Sequence, residues 1–296
     1  MNFNQLLIFH KVAELRHFTR AAEALFISQP AVSKQVQQLE KALKQALFTQ
    51  VGQKVYLTEA GKLLYEYAGR IFALAEEAEF ALDEMQRLER GRLALGASTT
   101  IGTYLLPELL GRYKAQYPAM DLVVEIANTE EIQSKLLAHR LEVGLVEGGV
   151  THSELLESVW RQDELVLITS VHFEQACEEE LTIQQFLAQH PPFILREQGS
   201  GTRSVLEKAL ADQGVEPLHP IMELGSTEAI KRVVAADLGV SFVSEHTIQM
   251  EVASGHLKRV PLRDFVVQRP LSIVRMKGKR LSKAAQAFLQ LIEATA

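Results

Sequence analysis

A chain of 296 residues, 47% hydrophobic and 23% charged, has room for two or three packed domains and the composition of an ordinary soluble globular protein. Its single cysteine, Cys177, excludes an internal disulfide and fits a reducing cytoplasm, while Asn4, Gln5, His10 and Lys11 interrupt the N-terminal apolar residues and argue against an export leader or a membrane span. The formal net charge of −6 is uneven: residues 1–57 carry +4 and the remainder −10, so attraction to phosphate is confined to the N-terminal head, and its modest size predicts reliance on more than one copy.

Residues 4–13 read as a first helix whose stripe is Leu6, Leu7, Phe9 and Val12. Thr19 is placed to cap a short second helix through Ala21, Ala22, Ala24 and Leu25, where the alanines allow a close helix crossing. Ser28 is a good N-cap for a third helix, with Pro30 in its first turn, where a missing amide donor costs little. Val32, Val36, Leu39 and Leu43 form its narrow apolar face, and Pro30, Ser33, Lys34, Gln37 and Lys41 lie opposite without a carboxylate among them. That is a helix-turn-helix signature. The second helix of this motif enters the major groove N-terminus first, which puts Gln29, Pro30, Ser33 and Lys34 nearest the base edges, with Thr19 and Gln37 beside them. Leu47 and Phe48, a bend at 51–54 and then 55–57 predict a small hairpin, or wing, carrying Lys54 toward the backbone or the minor groove.

The run Phe18-Thr19-Arg20-Ala21-Ala22-Glu23, then Ser28-Gln29-Pro30-Ala31-Val32-Ser33, Leu39-Glu40, Leu47-Phe48 and Leu57-Thr58-Glu59-Ala60-Gly61 resembles the N-terminal domain of LysR-type bacterial transcriptional regulators. The resemblance extends over essentially the whole chain, because the remaining length fits the family's effector-binding region. Two positions depart from it: Lys44 stands where the family usually has Gly, and Gln50 where it usually has a basic residue.

Thr58 caps a long helix expected to reach about Leu88. Leu64, Ile71, Ala78 and Met85 recur every seven residues, and Tyr67, Leu74, Ala81 and Leu88 follow three later, an a/d seam over four heptads. Glu76, Glu77, Glu79, Asp83 and Glu84 flank the seam, which predicts pairing with a second chain, and the resemblance likewise makes this helix the dimerisation element. The family also forms tetramers through further effector-domain contacts, and RNA polymerase is a candidate partner of such a regulator.

After Arg90 the pattern becomes short apolar runs alternating with amphipathic helices. Strands are expected at 92–97, 122–126, 143–146, 165–168, 193–196, 221–224, 240–243 and 271–275, with helices at 104–117, 130–139, 204–213, 227–236 and 282–294. Such alternation indicates a parallel α/β sheet. The family resemblance implies the fold class: an α/β protein with an N-terminal winged helix-turn-helix (1–58), a long linker helix (59–90), and a two-lobed periplasmic-binding-protein-like effector domain. Its first lobe would be 91–164 and 266–296, its second 165–265, and the chain would cross between them near 163–169 and 263–269, leaving a cleft.

Ser98-Thr99-Thr100 joins the first strand of this region to its first helix, a place where hydroxyls and free helix amides can hold an anion, and the family uses this loop for effectors. Thr129, after the second strand, is a candidate of the same kind. On the other lobe, Arg196-Glu197-Gln198-Gly199-Ser200-Gly201-Thr202-Arg203 is similar to the RE-x-GSGTR run of a LysR branch that includes regulators of carbon fixation and of sulfur assimilation. Its glycines admit a ligand to the backbone, Ser200 and Thr202 offer hydroxyls, and Arg196 or Arg203 a planar cation, so the expected effector is a small anionic metabolite rather than a tightly held cofactor.

Catalysis has little support. The nine histidines show no zinc-enzyme spacing, Cys177 precedes three glutamates that discourage a thiolate, and Ser200 lacks the G-x-S-x-G elbow. Trp160 reads as packing. The competing reading is a cytoplasmic solute-binding or enzymatic α/β protein whose N-terminal helices serve only assembly, and the acid-free face from Pro30 to Lys41 is what assembly would not require.

Overall fold

The computed structural model describes residues 1–51, 54–84, 91–173 and 181–295, with the backbone alone at 50, 51, 54, 76, 77 and 79–84. The wing bend at Gly52 and Gln53, the far end of the long helix with Met85, Leu88 and Arg90, and Cys177 lie outside the described residues, as do the side chains of Gln50, Lys54 and Ala81. The chain divides into two units, one comprising Met1–Leu82 and Ala138–Arg140 and the other Asp83–Leu137 and Leu141–Ala296.

In the first unit α1 (Phe3–Leu15), α2 (Phe18–Ala24) and α3 (Gln29–Leu43) are followed by the hairpin β1 (Phe48–Val51) and β2 (Lys54–Leu57) and by α4 (Glu59–Glu84). Val32, Val36 and Leu39 are buried against Ile8, Val12, Ala21 and Phe9, as the spacing of α3 requires. Ser28 Oγ accepts from the Ala31 amide at 3.4 Å, and Thr58 Oγ1 accepts from the Gly61 amide at 3.0 Å, so both expected caps are present. The cap of α2 is different: His17 Nδ1 accepts from the Arg20 amide at 3.5 Å, and Thr19 lies inside the helix with its side chain exposed. The imidazole reaches the free amide from two positions before Thr19, the residue expected to cap.

The second unit carries β3 (Gly91–Ser98), a π-helical turn at Ile101–Leu105, α5 (Leu106–Gln116), β4 (Met120–Ala127), α6 (Thr129–Leu137), β5 (Val143–Glu147), β6 (Leu155–Ser170) and α7 (Ile183–Leu187). It continues with β7 (Ile194–Arg196), α8 (Gly201–Asp212), β8 (Met222–Leu224), α9 (Thr227–Ala235), β9 (Ser241–Ser244), α10 (Gln249–Ala253), β10 (Leu257–Val260), β11 (Val267–Met276) and α11 (Lys283–Glu293). Two lobes with separate cores result: Leu93, Leu95, Tyr113, Val143, Leu145 and Phe288 centre one, and Leu165, Phe186, Phe193, Leu206 and Phe242 the other.

The sheet is mixed rather than parallel throughout. β3 pairs in parallel with β4 and β5, but β11 runs antiparallel to both β5 and β6, and β9 and β10 run antiparallel to β6. The first half of β6 had no strand signal, because Glu157, Ser158, Arg161 and Asp163 interrupt its apolar pattern; pairing with β11 organises it instead. Its register shifts between Leu271/Arg161 and Ser272/Val159, which leaves Trp160 as the extra residue of a bulge.

β6 and β11 pass together from one lobe to the other, and Arg269 lies opposite Asp163 at the passage. Arg269 Nε donates to Asp163 Oδ2 at 2.7 Å, and both side chains are fully buried. Nη2 approaches the same oxygen at 2.7 Å as an ion-pair contact without the angle of a hydrogen bond. Ser244 Oγ donates to Asp163 Oδ1 at 2.8 Å, and Arg269 Nη1 donates to Thr202 Oγ1 at 2.8 Å. Removing the cation strands a buried carboxylate, so Arg269→Ala should cost roughly 3–5 kcal/mol in chemical denaturation of the second unit.

Lys44, at the C-terminal cap of α3, has φ of 55°, the left-handed conformation that accounts for the family's usual glycine. Its β-carbon carries a strain of about 1 kcal/mol there, so Lys44→Gly should stabilise the first unit by up to about 1 kcal/mol, measured by the shift of its urea midpoint.

Candidate nucleic-acid interface and effector cleft

On α3, Gln29, Pro30, Lys34 and Gln37 are exposed and Ser33 is half-buried. Gln29 Nε2 donates to Ser33 Oγ at 2.9 Å, so the two side chains at the start of the helix are oriented by one another. A groove of about 430 Å³ runs beside them, lined by Thr19, Gln29, Ser33 and Gln37 together with His17, Phe48 and Thr49. Four of the residues expected to face DNA therefore share one concave surface, while Pro30 and Lys34 are exposed on the same helix. The groove also contains a carboxylate, Glu40. Its Oε1 accepts from the Leu47 and Phe48 amides at 2.7 and 3.2 Å, which joins the helix to the wing.

The cleft in the second unit is built from strand ends. Ser98 closes β3, Asn128 and Thr129 follow β4, and Glu147 closes β5; across from them Arg196 closes β7 and Ser200 precedes α8. Arg196 is 3% exposed and joins the two lobes: Nη1 donates to Thr99 Oγ1 at 2.8 Å and to Thr227 Oγ1 at 3.3 Å. Its remaining donors meet Glu197, Nε to Oε2 at 2.8 Å and Nη2 to Oε1 at 2.9 Å. Burial would raise the Glu197 carboxyl, but its hydrogen bonds and charge contact with Arg196, with help from Asn128, hold it below the usual carboxylate range.

The glycines of the 199–201 run let the lobes meet. Gly199 has φ of +82° and its carbonyl accepts from the Glu130 amide at 3.2 Å across the cleft. A Cβ at Gly201 would fall 1.9 Å from the Glu147 carbonyl oxygen, so the position has no room for a side chain. Tyr104, in the π-helical turn, donates its hydroxyl to Glu228 on the opposite lobe.

Ser98, Thr100 and Ser200 are all buried at 1–2% exposure. The Ser98 hydroxyl donates to Glu147 Oε2, whereas Ser200 Oγ has no hydrogen-bond partner and makes no capping bond. Thr202 is taken by Arg269, and Thr129 Oγ1 donates to the Glu147 carbonyl at 2.8 Å, while Asn128 caps α6 through the Glu131 amide. Arg203 turns away: Nε donates to Glu207 at 2.7 Å, and Nη1 contacts Glu223 at 2.9 Å and the Arg196 carbonyl at 3.0 Å. Burial opposes its charge, yet Glu207 and Glu223 together raise its pKa. Glu147, Asp163, Thr227 and Arg269 are site residues not expected from the sequence. For the three charged residues the available signal was a charge at the end or within a strand, whereas Thr227, the first residue of α9, gave none.

The groups at these strand ends can hold a small polar molecule, and no group of three or more metal-ligating side chains occurs among the described residues. No helix among those residues is long and apolar enough to cross a membrane.

The family model described as a bacterial regulatory helix-turn-helix protein of the lysR family matches residues 3–62, and that described as the LysR substrate binding domain matches residues 86–296. A probable RuBisCO transcriptional regulator of Synechocystis sp. is 36% identical over 97% of this chain and 84% of its own length. Among solved structures, the CcmR regulatory domain of Synechocystis PCC6803 in complex with 2-PG shares 29% identity and a TM-score of 0.64 over 70% of this chain and 97% of its own. Full-length CbnR with its target DNA superimposes over 100% of both chains with a TM-score of 0.72 at 22% identity, a likeness of fold. With both of its family regions matched in order, the chain belongs to the LysR family of bacterial transcriptional regulators.

Proposed function

We propose that the protein binds specific double-stranded DNA as a homodimer and that a small anionic metabolite, held between the two lobes, controls that binding. The observation that carries the effector reading is the bridge from Arg196 to Thr99, a cation and a hydroxyl brought together from opposite lobes at strand ends. CcmR, with 2-PG bound, supports an anion of that class here, a phosphorylated or carboxylated intermediate. Ser98, Thr99, Thr100, Arg196, Ser200 and Thr202 form the proposed contact set. Thr129 and Arg203, engaged with backbone carbonyls and acids of the protein, support the frame. Calorimetry on the whole chain should find 2-PG or a related anion bound at least about tenfold more weakly after Thr99→Val or Arg196→Met; unchanged affinity in both places the ligand elsewhere.

DNA reading is assigned to Gln29, Pro30, Ser33 and Lys34, with Thr19, Gln37 and Lys54 toward the flanks and the backbone. Gln29→Ala or Ser33→Ala should cost about 1–3 kcal/mol on specific sites and much less on random DNA, whereas Lys34→Ala should weaken both and reduce the salt slope by about 1. Equal losses for Gln29→Ala on both kinds of DNA would show that the helix does not read bases.

The dimer reading rests on α4. Tyr67, Ile71 and Leu74 are 52%, 37% and 65% exposed, and Ala78 is exposed too, while Leu64 and the adjoining face with Ala68 and Phe72 pack on the helix-turn-helix. An apolar stripe left open along a helix supports a partner helix. Asp at both Ile71 and Leu74 should lower the mass found by sedimentation, and an unchanged mass contradicts the seam.

A further inference from the structure

The interior of the cleft holds one carboxylate more than its cations balance. Arg196 is engaged by both oxygens of Glu197, and Arg269 by Asp163. Glu147, whose side chain is 2% exposed, has the Ser98 hydroxyl on Oε2, and Arg269 Nη1 stands 3.8 Å from Oε1, too far for a hydrogen bond. That nitrogen already donates to Thr202. An ionised carboxylate accepts at about four lone-pair sites and donates at none, so much of its capacity is open. Next to it, Gly201 abuts the Glu147 carbonyl, and the neighbouring Ser200 hydroxyl is buried without a partner. The Ser200 hydroxyl and Arg269 Nη2 are buried donors without a hydrogen-bond partner, yet neither is hydrogen-bonded to Glu147. A bare anion would bring like charge to Glu147 and nothing to its open acceptor sites, whereas an acid with an O–H or N–H beside its anionic group would satisfy them.

We propose that Glu147 sets the specificity of this cleft by accepting a hydrogen bond from the effector, which makes the effector a small acid that also carries a hydroxyl or amino donor. This inference rests on the cleft reading above and narrows its ligand class. Discrimination of this kind is strong because a site built around a donor leaves a buried acceptor unmet when the donor is missing.

The test is calorimetry on the whole chain with two matched sets of probes. One set is lactate, alanine and propionate; the other is 3-phosphoglycerate, O-phosphoserine and 3-phosphooxypropionate. Within each set the frame is constant and only the hydroxyl, amino group or hydrogen changes. In at least one set a donor-bearing probe should bind at least about tenfold more tightly than the donor-free acid, and its identity distinguishes hydroxyl from amine. Glu147→Gln should reduce that preference to about threefold or less, chiefly by improving the donor-free acid; Glu147→Ala serves the same purpose should the first variant not fold. Donor-free acids that bind as well as their partners, an equal shift of all probes in the Glu147 variants, or no binding by any probe overturns the proposal. Arg196→Met separates the two claims. Its loss of binding without any donor preference leaves the cleft and removes the role of Glu147, whereas binding indifferent to Arg196→Met removes the cleft itself.

Discussion

The effector region depends on a buried ion pair between Arg269 and Asp163, side by side on the two strands that pass between the lobes. Such a pair contributes little net stability over apolar packing, because desolvation offsets most of the attraction. What it contributes is direction. With Nε committed to Asp163, Nη1 is aimed at Thr202 at the start of α8, and Asp163 in turn accepts from Ser244. The crossing strands and the first turn of α8 are thereby set together, and α8 begins at the glycine that touches the Glu147 carbonyl.

Among the described residues, polar contacts hold the lobes against one another at the cleft mouth: Arg196 to Thr99, the Glu130 amide to the Gly199 carbonyl, Tyr104 to Glu228 and Asn128 to Glu197. Each is worth on the order of 0.5–3 kcal/mol net, the upper end applying to charged partners. Their sum is comparable with the differential affinity of an ordinary metabolite for two arrangements, which is the condition for a ligand to shift a conformational balance. A cleft closed by a large apolar interface would be deaf to such a ligand. One closed by guanidinium, hydroxyl and amide can exchange its own contacts for the ligand's.

The helix-turn-helix was legible in the sequence because its signals are local. Val32, Val36 and Leu39 turn one face inward at helical spacing, and Ser28 caps the helix they belong to. His17 in place of Thr19 as a cap was not, since imidazole capping has no strong sequence signature. In the effector region, strand-to-helix junctions located Ser98, Thr99, Arg196 and Ser200 correctly as strand-end residues. Partners assigned only by tertiary packing escaped: Arg203 and Arg196 look equivalent in the sequence, yet Glu207 and Glu223 draw one outward while Thr99 draws the other across the cleft. Glu147 and Arg269 escaped for the same reason, and the antiparallel course of β6 could not be read from a segment in which charged and apolar residues mix.

The proposed ligand engages both lobes at their strand ends. Amide hydrogen exchange of the whole protein, with and without saturating 2-PG, measures this residue by residue. Slower exchange is expected together at residues 99–102 on one lobe and 199–202 on the other. Protection confined to one lobe, or binding with no change at either segment, would contradict that engagement.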